Sequence, residues 1–590
     1  MFKRKVPGLG VSPAKTPRNA FDLSERHLYT QPCGMLLPVF VKDLNPDERI
    51  EIDIASQIQA QTLKGRAFVG MQQQFAAYFV PYRYLYSYWD SLITGVSGNN
   101  SLHSSALNPL FTASKLKAPT FRPFSEDLLS PGNQGSDYMG YPIYLGYTRI
   151  CDMLGYGFVY DSELAKATPS RPRFEANAFR WLAYQKIYQD HFLDDRFEQR
   201  HVDSYNVDSC FDYKSGSCAV TNFECFSPRY AKYNKDFLSN IMPSPLFVQG
   251  VQNVIQPFVG LTPTVADNDT SVGVGAGSTV SAASLRNLFA LDKMAQISGR
   301  AAKTYRAQML AHYGVHVDGD ATLSHFAGGF SRDLDTTAVI ATADGSDRSA
   351  GVSGNAFGQQ GAFIDNSSGG RISYESKDFG VFMVLSWISP APRWDAKGID
   401  PFNCKLTSSD YFHPEFADLG MQPLYDNYLL NARLHAPGVF GPGKPYEPRF
   451  NSEEQVRKAS MAVSTMSVYG WTERYAEYKS SYDKLHGEFA EPLCREAAYF
   501  RGMPIGSLSF LTTHSPFNRG QGDNYRGSVD DAFATSAQLT LSDISVSPGC
   551  MDGIVEVKYD GHQYTDPFRV DTMCKCSVIR NMSVNGLPRV

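Results

Sequence analysis

The sequence predicts a mainly β protein, a sheet sandwich whose connections have been greatly expanded. The composition includes 48 Gly, 34 Pro, 33 Tyr and 38 Phe with only 19% charged residues, a mixture typical of loop-rich β proteins rather than of helical bundles. Strand-like segments that could pair lie hundreds of residues apart along the chain. The 590 residues also exceed the roughly 250 to 300 residues beyond which a single compact core usually stops growing, so we expect long excursions between strands.

The chain begins with a basic arm, which we place at residues 1–30. Its first twenty residues contain no acid, and their basic residues are Lys3, Arg4, Lys5, Lys15 and Arg18. The rest of the chain has 50 basic and 60 acidic side chains, a net charge of −10. A domain with this negative net charge offers no general surface for a polyanion. Contact with nucleic acid is therefore expected in the arm or in local patches. The alternative is a disordered, solubilising tail.

The first strands follow the arm. Residues 34–54 read GMLLPVFVKDLNPDERIEIDI, which predicts a strand, a turn at NPDE and a second, alternating strand. Residues 67–80 predict another strand leading into a short aromatic helix. Further strands are predicted at 380–388, 534–546, 553–559 and 568–584.

Two helices interrupt the β pattern. The first spans 176–192, where Phe179, Leu182, Ile187 and Phe192 can share one apolar face. The second spans about 282–313, with Ser281 as a cap, Gly314 as its end and a bend at Gly299. Residues 261–284 between them are small and polar, and so suit either a flexible surface loop or a projecting tip.

The apolar runs and the cysteines limit the class of protein. The most continuous apolar stretches, such as VFMVLSWI at 381–388, are strand-length rather than the roughly 20 residues a bilayer needs, so we expect no membrane insertion. The ten cysteines include no CxxC pair, so free thiols are expected and no metal site is predicted. Cys574 and Cys576 should face the same side of a strand.

No motif predicts catalysis or a cofactor site. The segment GVFGPGKP at 438–445 has the spacing of a phosphate-binding loop, but Pro445 replaces the hydroxyl residue that would hold Mg²⁺ and Pro442 removes a backbone donor. The serine-hydrolase GxSxG and zinc-protease HExxH signatures are absent. Acids converging from distant loops, as in glycosidases, remain an open alternative.

The most informative segment is YGWTERYAEYKSSYDKLHGEF at 469–489. Large rings alternate there with charges of both signs, a composition that suits a subunit interface because rings supply burial while charges fix register. The candidate interface residues are Tyr469, Trp471, Arg474, Tyr475, Tyr478 and Tyr482. The aromatics of YRYLYSYWD at 82–90 could stack on bases or sugars, but core packing is the simpler interpretation.

Several segments also carry a family resemblance. They occur in order as NAFDLSERHLYTQPCGMLLPVFVKDLNPDE at 19–48, RWLAYQKIYQDHFLDD at 180–195, RYAKYNKDFLSNIMPSPLFVQG at 229–250, LRNLFALDKMAQISGRAAKTYRAQMLAHYGV at 285–315, DYFHPEFADLGMQPL at 410–424 and DPFRVDTMCKCSVIRNMSVNGLPRV at 566–590. Together with 469–489 they resemble the major capsid proteins of gokushovirus-type microviruses, small icosahedral bacteriophages with single-stranded DNA.

This resemblance implies a fold and an assembly. The expected fold is a single eight-stranded jelly roll over 31–590, with very long interstrand loops that contain helices. The protein would not be an enzyme, and its copies would form a T=1 icosahedral shell around a circular single-stranded DNA genome. We expect insertions at 201–284, with a tip near 255–284 that builds a threefold protrusion, and a surface loop at 315–370. The Cys-containing segment at 205–226 departs from familiar members.

The resemblance also implies partners. These are a small basic DNA-packaging protein, a minor pilot protein and a host-surface receptor reached through surface loops. The protein would be made in the bacterial host cytoplasm and reside in the virion. The alternative is a secreted or surface carbohydrate-binding or carbohydrate-cleaving β-sandwich protein, and a fibrous tail protein is disfavoured because no internal repeat is visible.

Overall fold

The protein is mainly β, with two antiparallel sheets that pack face to face. The computed structural model describes residues 18–61, 70–86, 89–94, 118–121, 143–157, 176–194, 197–198, 228–238, 240, 242, 290, 293–294, 297, 305–315, 323–334, 337–340, 360–367, 369–391, 393–394, 400–417, 421–425, 428, 438–439, 447–448, 468–484, 486, 500–501, 544–551, 559–560, 563–564, 566–582 and 584. The expected fold class, a mainly β sandwich, is confirmed.

The strands are numbered in chain order. Those up to residue 390 are β1 (Asn19–Asp22), β2 (Glu25–Gln31), β3 (Leu37–Leu44), β4 (Glu48–Ala60), β5 (Met71–Pro81), β6 (Thr120–Phe121), β7 (Ala176–Asn177), β8 (His325–Asp333), β9 (Thr337–Ile340), β10 (Gln360–Ser367), β11 (Arg371–Ser376) and β12 (Gly380–Pro390). The later ones are β13 (Arg393–Trp394), β14 (Met421–Tyr425), β15 (Gly438–Val439), β16 (Glu447–Pro448), β17 (Val468–Glu473), β18 (Asp483–Lys484), β19 (Phe500–Arg501), β20 (Tyr559–Asp560), β21 (Gln563–Tyr564) and β22 (Phe568–Arg580).

Helices lie between the strands. The α-helices are α1 (Tyr82–Leu85), α2 (Trp89–Thr94), α3 (Ile143–Met153), α4 (Phe179–Ile187), α5 (Tyr305–Tyr313) and α6 (Ala476–Lys479). A π-helical turn, Tyr188–Phe192, continues α4, and short 3-10 turns occur at Pro401–Cys404, Ser408–Asp410 and Pro414–Phe416. None of the helices in the described part is long and apolar enough to cross a bilayer.

Two sheets form the sandwich. The larger has the order β1-β22-β4-β10-β9, with β2 also paired to β22 and β11 also paired to β4, while the smaller has the order β3-β12-β5-β8. The amino-terminal strands β1 and β2 therefore pair with β22, the last strand, so the larger sheet joins both ends of the chain.

The inward faces of the two sheets share one core. Strand β4 alternates buried and exposed residues along its length, which is the pattern of a sheet with one wet face. The buried side chains of this core include Phe40, Leu44, Ile50, Ile52, Ile54, Phe75, Phe79, Phe382, Val384, Cys574, Cys576 and Val578. The predicted common orientation of Cys574 and Cys576 is confirmed, and burial raises the pKa of these thiols to about 12 and about 11.

The other face of the smaller sheet is covered by helices. Every residue of β12 is buried, because this central strand is covered on both faces. The helices α3 and α4 contribute Tyr147, Trp181 and Tyr184 to the core on that side. The predicted apolar face of the 176–192 helix is thus confirmed, with Phe179, Leu182 and Ile187 buried.

Several predicted elements agree with the structure. The strand, turn and strand at 34–54 are β3 and β4, the strand at 67–80 is β5, and the short aromatic helix is α1 with α2. The strands expected at 380–388 and 568–584 are β12 and β22. Gly314 ends α5 as predicted, with a φ of +68° that suits a residue lacking a Cβ.

Two predicted boundaries are wrong. The arm was predicted to reach residue 30, but β1 and β2 are hydrogen-bonded strands of the larger sheet. The segment 315–370 was predicted as a surface loop, but β8 pairs with β5, and β9 and β10 belong to the larger sheet. Glycines suggested a loop there, yet a Cβ on Gly329 would lie 2.6 Å from the carbonyl oxygen of Phe75, so the close strand pairing requires glycine.

Other predictions lie outside the described residues. These are Ser281, Gly299, most of the 201–284 insertion with its tip at 255–284, the Cys-containing segment at 205–226, and the strands expected at 534–543 and 553–558.

Three distant segments meet beside Gly34. Its N–H donates to the Ile388 carbonyl at 2.8 Å, and its own carbonyl accepts from the Ala231 N–H at 2.7 Å. A Cβ on Gly34 would lie 2.5 Å from Cβ of Val546, and its φ is +71°. Only glycine fits this junction between β2 and β3 without rearrangement.

Candidate subunit interface

The segment predicted as an interface forms a small unit with its own two-stranded sheet. Strand β17 pairs antiparallel with β14, so that Glu473 lies opposite Met421 and Trp471 opposite Pro423. A turn at residues 474–475 then leads into α6. This unit holds the rings of Tyr475 and Tyr478 against the 400–417 segment.

Tyr475 is the buried anchor of the unit. It is only 4% exposed and has a φ of +59°, a left-handed conformation that costs free energy for a side chain other than glycine. Its N–H donates to Oε1 of Gln422 at 2.9 Å. Its hydroxyl accepts from the His413 N–H at 3.3 Å and donates to the Tyr411 carbonyl at 3.4 Å. Tyr475 therefore ties the 411–413 backbone to β14.

Edge-to-face ring contacts extend outwards from this anchor. The ring centroids of Phe412 and Tyr475 are 5.0 Å apart, and those of Tyr475 and Tyr478 are 6.1 Å apart. Tyr478 also meets Phe402 at 5.0 Å with an interplanar angle of 83°. Such geometry places a positive ring edge against a negative face, so the rings hold one another in fixed orientations.

An ion pair lies beneath the rings. Nζ of Lys405 donates to Oε1 of Glu477 at 2.7 Å, and Nε2 of Gln422 donates to Oε2 at 2.7 Å. The side chains of Lys405 and Glu477 are only 6% and 8% exposed. Lys405 also lies 4.2 Å from the ring centroid of Tyr478, a cation–π contact. The pair neutralises itself, so the centre of the unit exposes rings rather than charge.

The pKa values of this pair move in opposite directions. Burial raises the pKa of Glu477, but the hydrogen bonds from Lys405 and Gln422 outweigh it and lower the pKa overall. Burial lowers the pKa of Lys405, but its hydrogen bonds to Glu477 and Tyr478 raise the pKa overall. Both groups are therefore charged at neutral pH.

Above the pair, the unit exposes a cluster of large apolar side chains. We call this cluster the aromatic patch, and its members are Phe402, Leu406, Tyr411, Phe412, Phe416 and Tyr478. Leu406 is 86% exposed. Isolated exposed apolar residues are ordinary on protein surfaces, but a connected cluster rimmed by charges is typical of a binding surface.

The six residues predicted at an interface have different environments. Tyr478 belongs to the aromatic patch, and Arg474 lies 5.0 Å from the centroid of Tyr475. Trp471 is half-buried and exchanges two backbone hydrogen bonds with Met242. Tyr482 stacks on Phe237 at 5.9 Å, and the side chain of Tyr469 lies outside the described part. Tyr475 is buried within its own subunit, where it supports the exposed rings around it.

Sequence reasoning missed the larger part of the patch. Phe402, Leu406, Phe412 and Phe416 were not predicted at an interface, although DYFHPEFADLGMQPL at 410–424 was noted as an aromatic and acidic segment. The segment forms only short 3-10 turns, two of which begin at Pro401 and Pro414, so these rings are not packed along a continuous helix. Aromatic residues beside such turns were the available signal.

Of the residues predicted to contact DNA, only Arg18 is described. Its guanidinium donates to the Asp47 carbonyl at 2.9 Å and pairs with the Asp47 carboxylate at 3.4 Å. Lys3, Arg4, Lys5 and Lys15 lie outside the described residues. Arg18 is thus held against its own subunit.

One Ser, His and Asp group occurs away from the patch. Nε2 of His191 lies 3.0 Å from Oγ of Ser324, and the Ser324 hydroxyl donates to Oδ2 of Asp190 at 2.9 Å. In a hydrolytic triad the carboxylate orients the imidazole, whereas this carboxylate binds the serine. The group instead joins the π-helical turn to the start of β8.

Comparisons with known proteins cover most of the chain. A family model described as "Capsid protein (F protein)" matches residues 10–120 and 238–519. The capsid protein VP1 of Chlamydia phage 1 is 22% identical over 594 residues, which cover 88% of this chain and 94% of that protein.

The first prediction distinguishes the stabilising role of buried Tyr475 from the contact role of exposed Tyr478. Tyr475→Ala should lower the free energy of unfolding of this unit by about 3 to 5 kcal/mol, because a buried ring leaves a cavity. Tyr478→Ala should cost about 1 kcal/mol or less but weaken association between subunits. Chemical denaturation and sedimentation measure the two effects. Equal loss of stability in both variants would contradict this division.

The second prediction concerns pH. Because the folded state lowers the pKa of Glu477 below its ordinary value of about 4.5, its stabilising contribution is complete above that pH and is lost as the pH falls through the folded-state pKa. Glu477→Gln should therefore be less stable than the wild type at pH 7, and this difference in stability should become smaller towards pH 3. Thermal unfolding across this range measures it.

The matched control for that experiment is Glu415→Gln, an exposed carboxylate in the 400–417 segment. It should change stability by about 0.5 kcal/mol or less. A gap between Glu477→Gln and the wild type that stays constant with pH would show that ionisation of Glu477 does not stabilise the fold.

Proposed function

Because this chain belongs to the capsid protein (F protein) family, we propose that its copies assemble into a T=1 icosahedral shell around a circular single-stranded DNA genome. Membership of the family already implies the coarser statement, namely a structural protein of the virion whose copies form a shell. The size and symmetry of the shell, its DNA content and its attachment to a host are the proposed part.

The aromatic patch is the observation that carries this proposal. A shell requires contacts that are repeated between identical subunits, and these are usually centred on large side chains with a charged rim. The patch has that composition, and buried Tyr475 with the Lys405–Glu477 pair holds it in one geometry. We assign Trp471, Arg474, Tyr478 and Tyr482 to the same contact region.

The strand order supports a jelly roll as the fold of the shell domain. The long strands β3, β4, β5, β8, β11, β12 and β22 mostly change sheet from one to the next. Two sheets of this kind with Greek-key connections make a jelly roll, an architecture common in viral capsids. The first of the eight strands would then be the interrupted pair β1 and β2.

Contact with the genome is proposed for the basic residues before β1. A body with a net charge of −10 would repel DNA unless basic segments lined the interior. Lys3, Arg4, Lys5 and Lys15 are candidates for this role, and a small basic DNA-packaging protein would supply the remaining charge. Arg18 contributes less because Asp47 already binds it.

Other partners follow from the same proposal. The insertion at 201–284, with its tip at about 255–284, would form a threefold protrusion and contact a host-surface receptor. A minor pilot protein would accompany the genome, and synthesis would take place in the cytoplasm of a bacterial host. A carbohydrate-binding or carbohydrate-cleaving role has no support from the family comparison.

The third prediction tests assembly directly. The purified full chain should form spherical particles of megadalton mass with icosahedral symmetry, as seen by sizing and electron microscopy. Tyr478→Ala should lower their yield. Monomers that turn over or bind glycans, with no particles under any condition of salt or concentration, would overturn the proposal.

The fourth prediction tests the arm. Replacing Lys3, Arg4, Lys5 and Lys15 with Gln should reduce the DNA retained per particle without preventing shell formation, because four counterion-releasing contacts are lost. Arg18→Gln alone should change retention little. The measurement is the nucleic-acid absorbance of purified particles. Unchanged DNA retention in the variant with all four substitutions would show that the arm is only a solubilising tail.

A further inference from the structure

The segments that carry the aromatic patch have a net negative charge. Residues 400–417 and 473–484 contain six acids and four bases. Three ion pairs, Lys405–Glu477, Lys479–Glu473 and Lys484–Asp400, use three of those bases. The acids outside these three ion pairs are Asp410, Glu415 and Asp483, and all three are exposed around the patch. The base outside these ion pairs is Arg474.

This charge argues against a patch that binds its own copy. In a twofold contact the same surface occurs on both sides, so two acidic rims would face each other while the rings lose water. Like charges brought together at an interface disfavour the complex. A basic surface with exposed apolar side chains is the better partner.

In the described part of the chain, helix α5 carries such a surface. Leu310, Tyr313 and Val315 are exposed large apolar side chains on this helix and just after it, and Tyr313 is 73% exposed. Residues 305–315 contain Arg306 and no acid, and Arg306 is exposed. A Cβ on Gly314 would meet no described atom within 4 Å, so there is open space beside this helix end.

We propose that the aromatic patch of one subunit binds the end of α5 of a second copy. Tyr313 and Leu310 pack on the rings around Leu406, and Arg306 lies beside the acidic rim near Glu415. The two surfaces differ, so the contact is heterologous and closes around a rotation axis of three or more subunits. This inference rests on the proposed shell-forming function and names the partner of the patch.

The fifth prediction is a charge exchange in the full chain. Glu415→Lys and Arg306→Glu, each alone, should raise the protein concentration needed for particle formation by about threefold to tenfold, because each places like charges together. The variant with both changes should return to within about twofold of the wild type. Sedimentation of a concentration series measures the threshold.

A matched control and a stability check accompany this experiment. Glu375→Lys reverses an exposed charge on β11 and should leave the threshold unchanged. Thermal unfolding of each subunit should match the wild type. If a charge-reversed variant fails to fold, Glu415→Gln and Arg306→Gln should each raise the threshold by a smaller factor, and their effects should not add.

The remaining outcomes overturn the inference. Better assembly by Glu415→Lys with no effect of Arg306→Glu would show that the patch faces its own copy. A double variant no better than the worse single variant would show that the two surfaces do not meet. If the wild-type chain forms no particles at all, the proposed function itself fails, and this inference with it.

Discussion

The central strand of the smaller sheet, β12, has no wet face, and the rest of the structure depends on that constraint. All of β12 is buried, with the larger sheet on one side and the helices α3 and α4 on the other. Apolar area left in water costs about 25 cal/mol per Å², so a sandwich of two sheets alone would leave this outer face unstable. The long excursion between β5 and β8 therefore supplies a third layer of the core as well as connecting strands.

The sandwich could be predicted from sequence because its signals are local. The NPDE turn between an apolar run and an alternating run predicted β3 and β4, and the uninterrupted apolar run VFMVLSWI predicted β12. β8 was missed for a physical reason: its glycines look like loop residues, yet Gly329 is required by the approach of the Phe75 backbone. Whether a glycine marks a turn or a close contact depends on a neighbour that is distant in sequence.

The candidate interface was predicted from sequence only in outline. Rings alternate with charges at 469–482, but ring chemistry alone does not distinguish buried Tyr475 from exposed Tyr478. That distinction comes from the left-handed backbone at Tyr475 and from three hydrogen bonds to residues 411–422. Leu406 had no sequence signal, because its exposure follows from the burial of the adjacent Lys405 against Glu477.

The pairing of β1 and β2 with β22 also affects how the chain folds during its synthesis. Strand β22 lies between β2 and β4, so until residues 568–580 leave the ribosome both of those strands have an unsatisfied edge. Such edges recruit other strands and promote aggregation. A chain that ends before residue 568 thus lacks the strand that joins β2 to β4, and its larger sheet stays open at the centre.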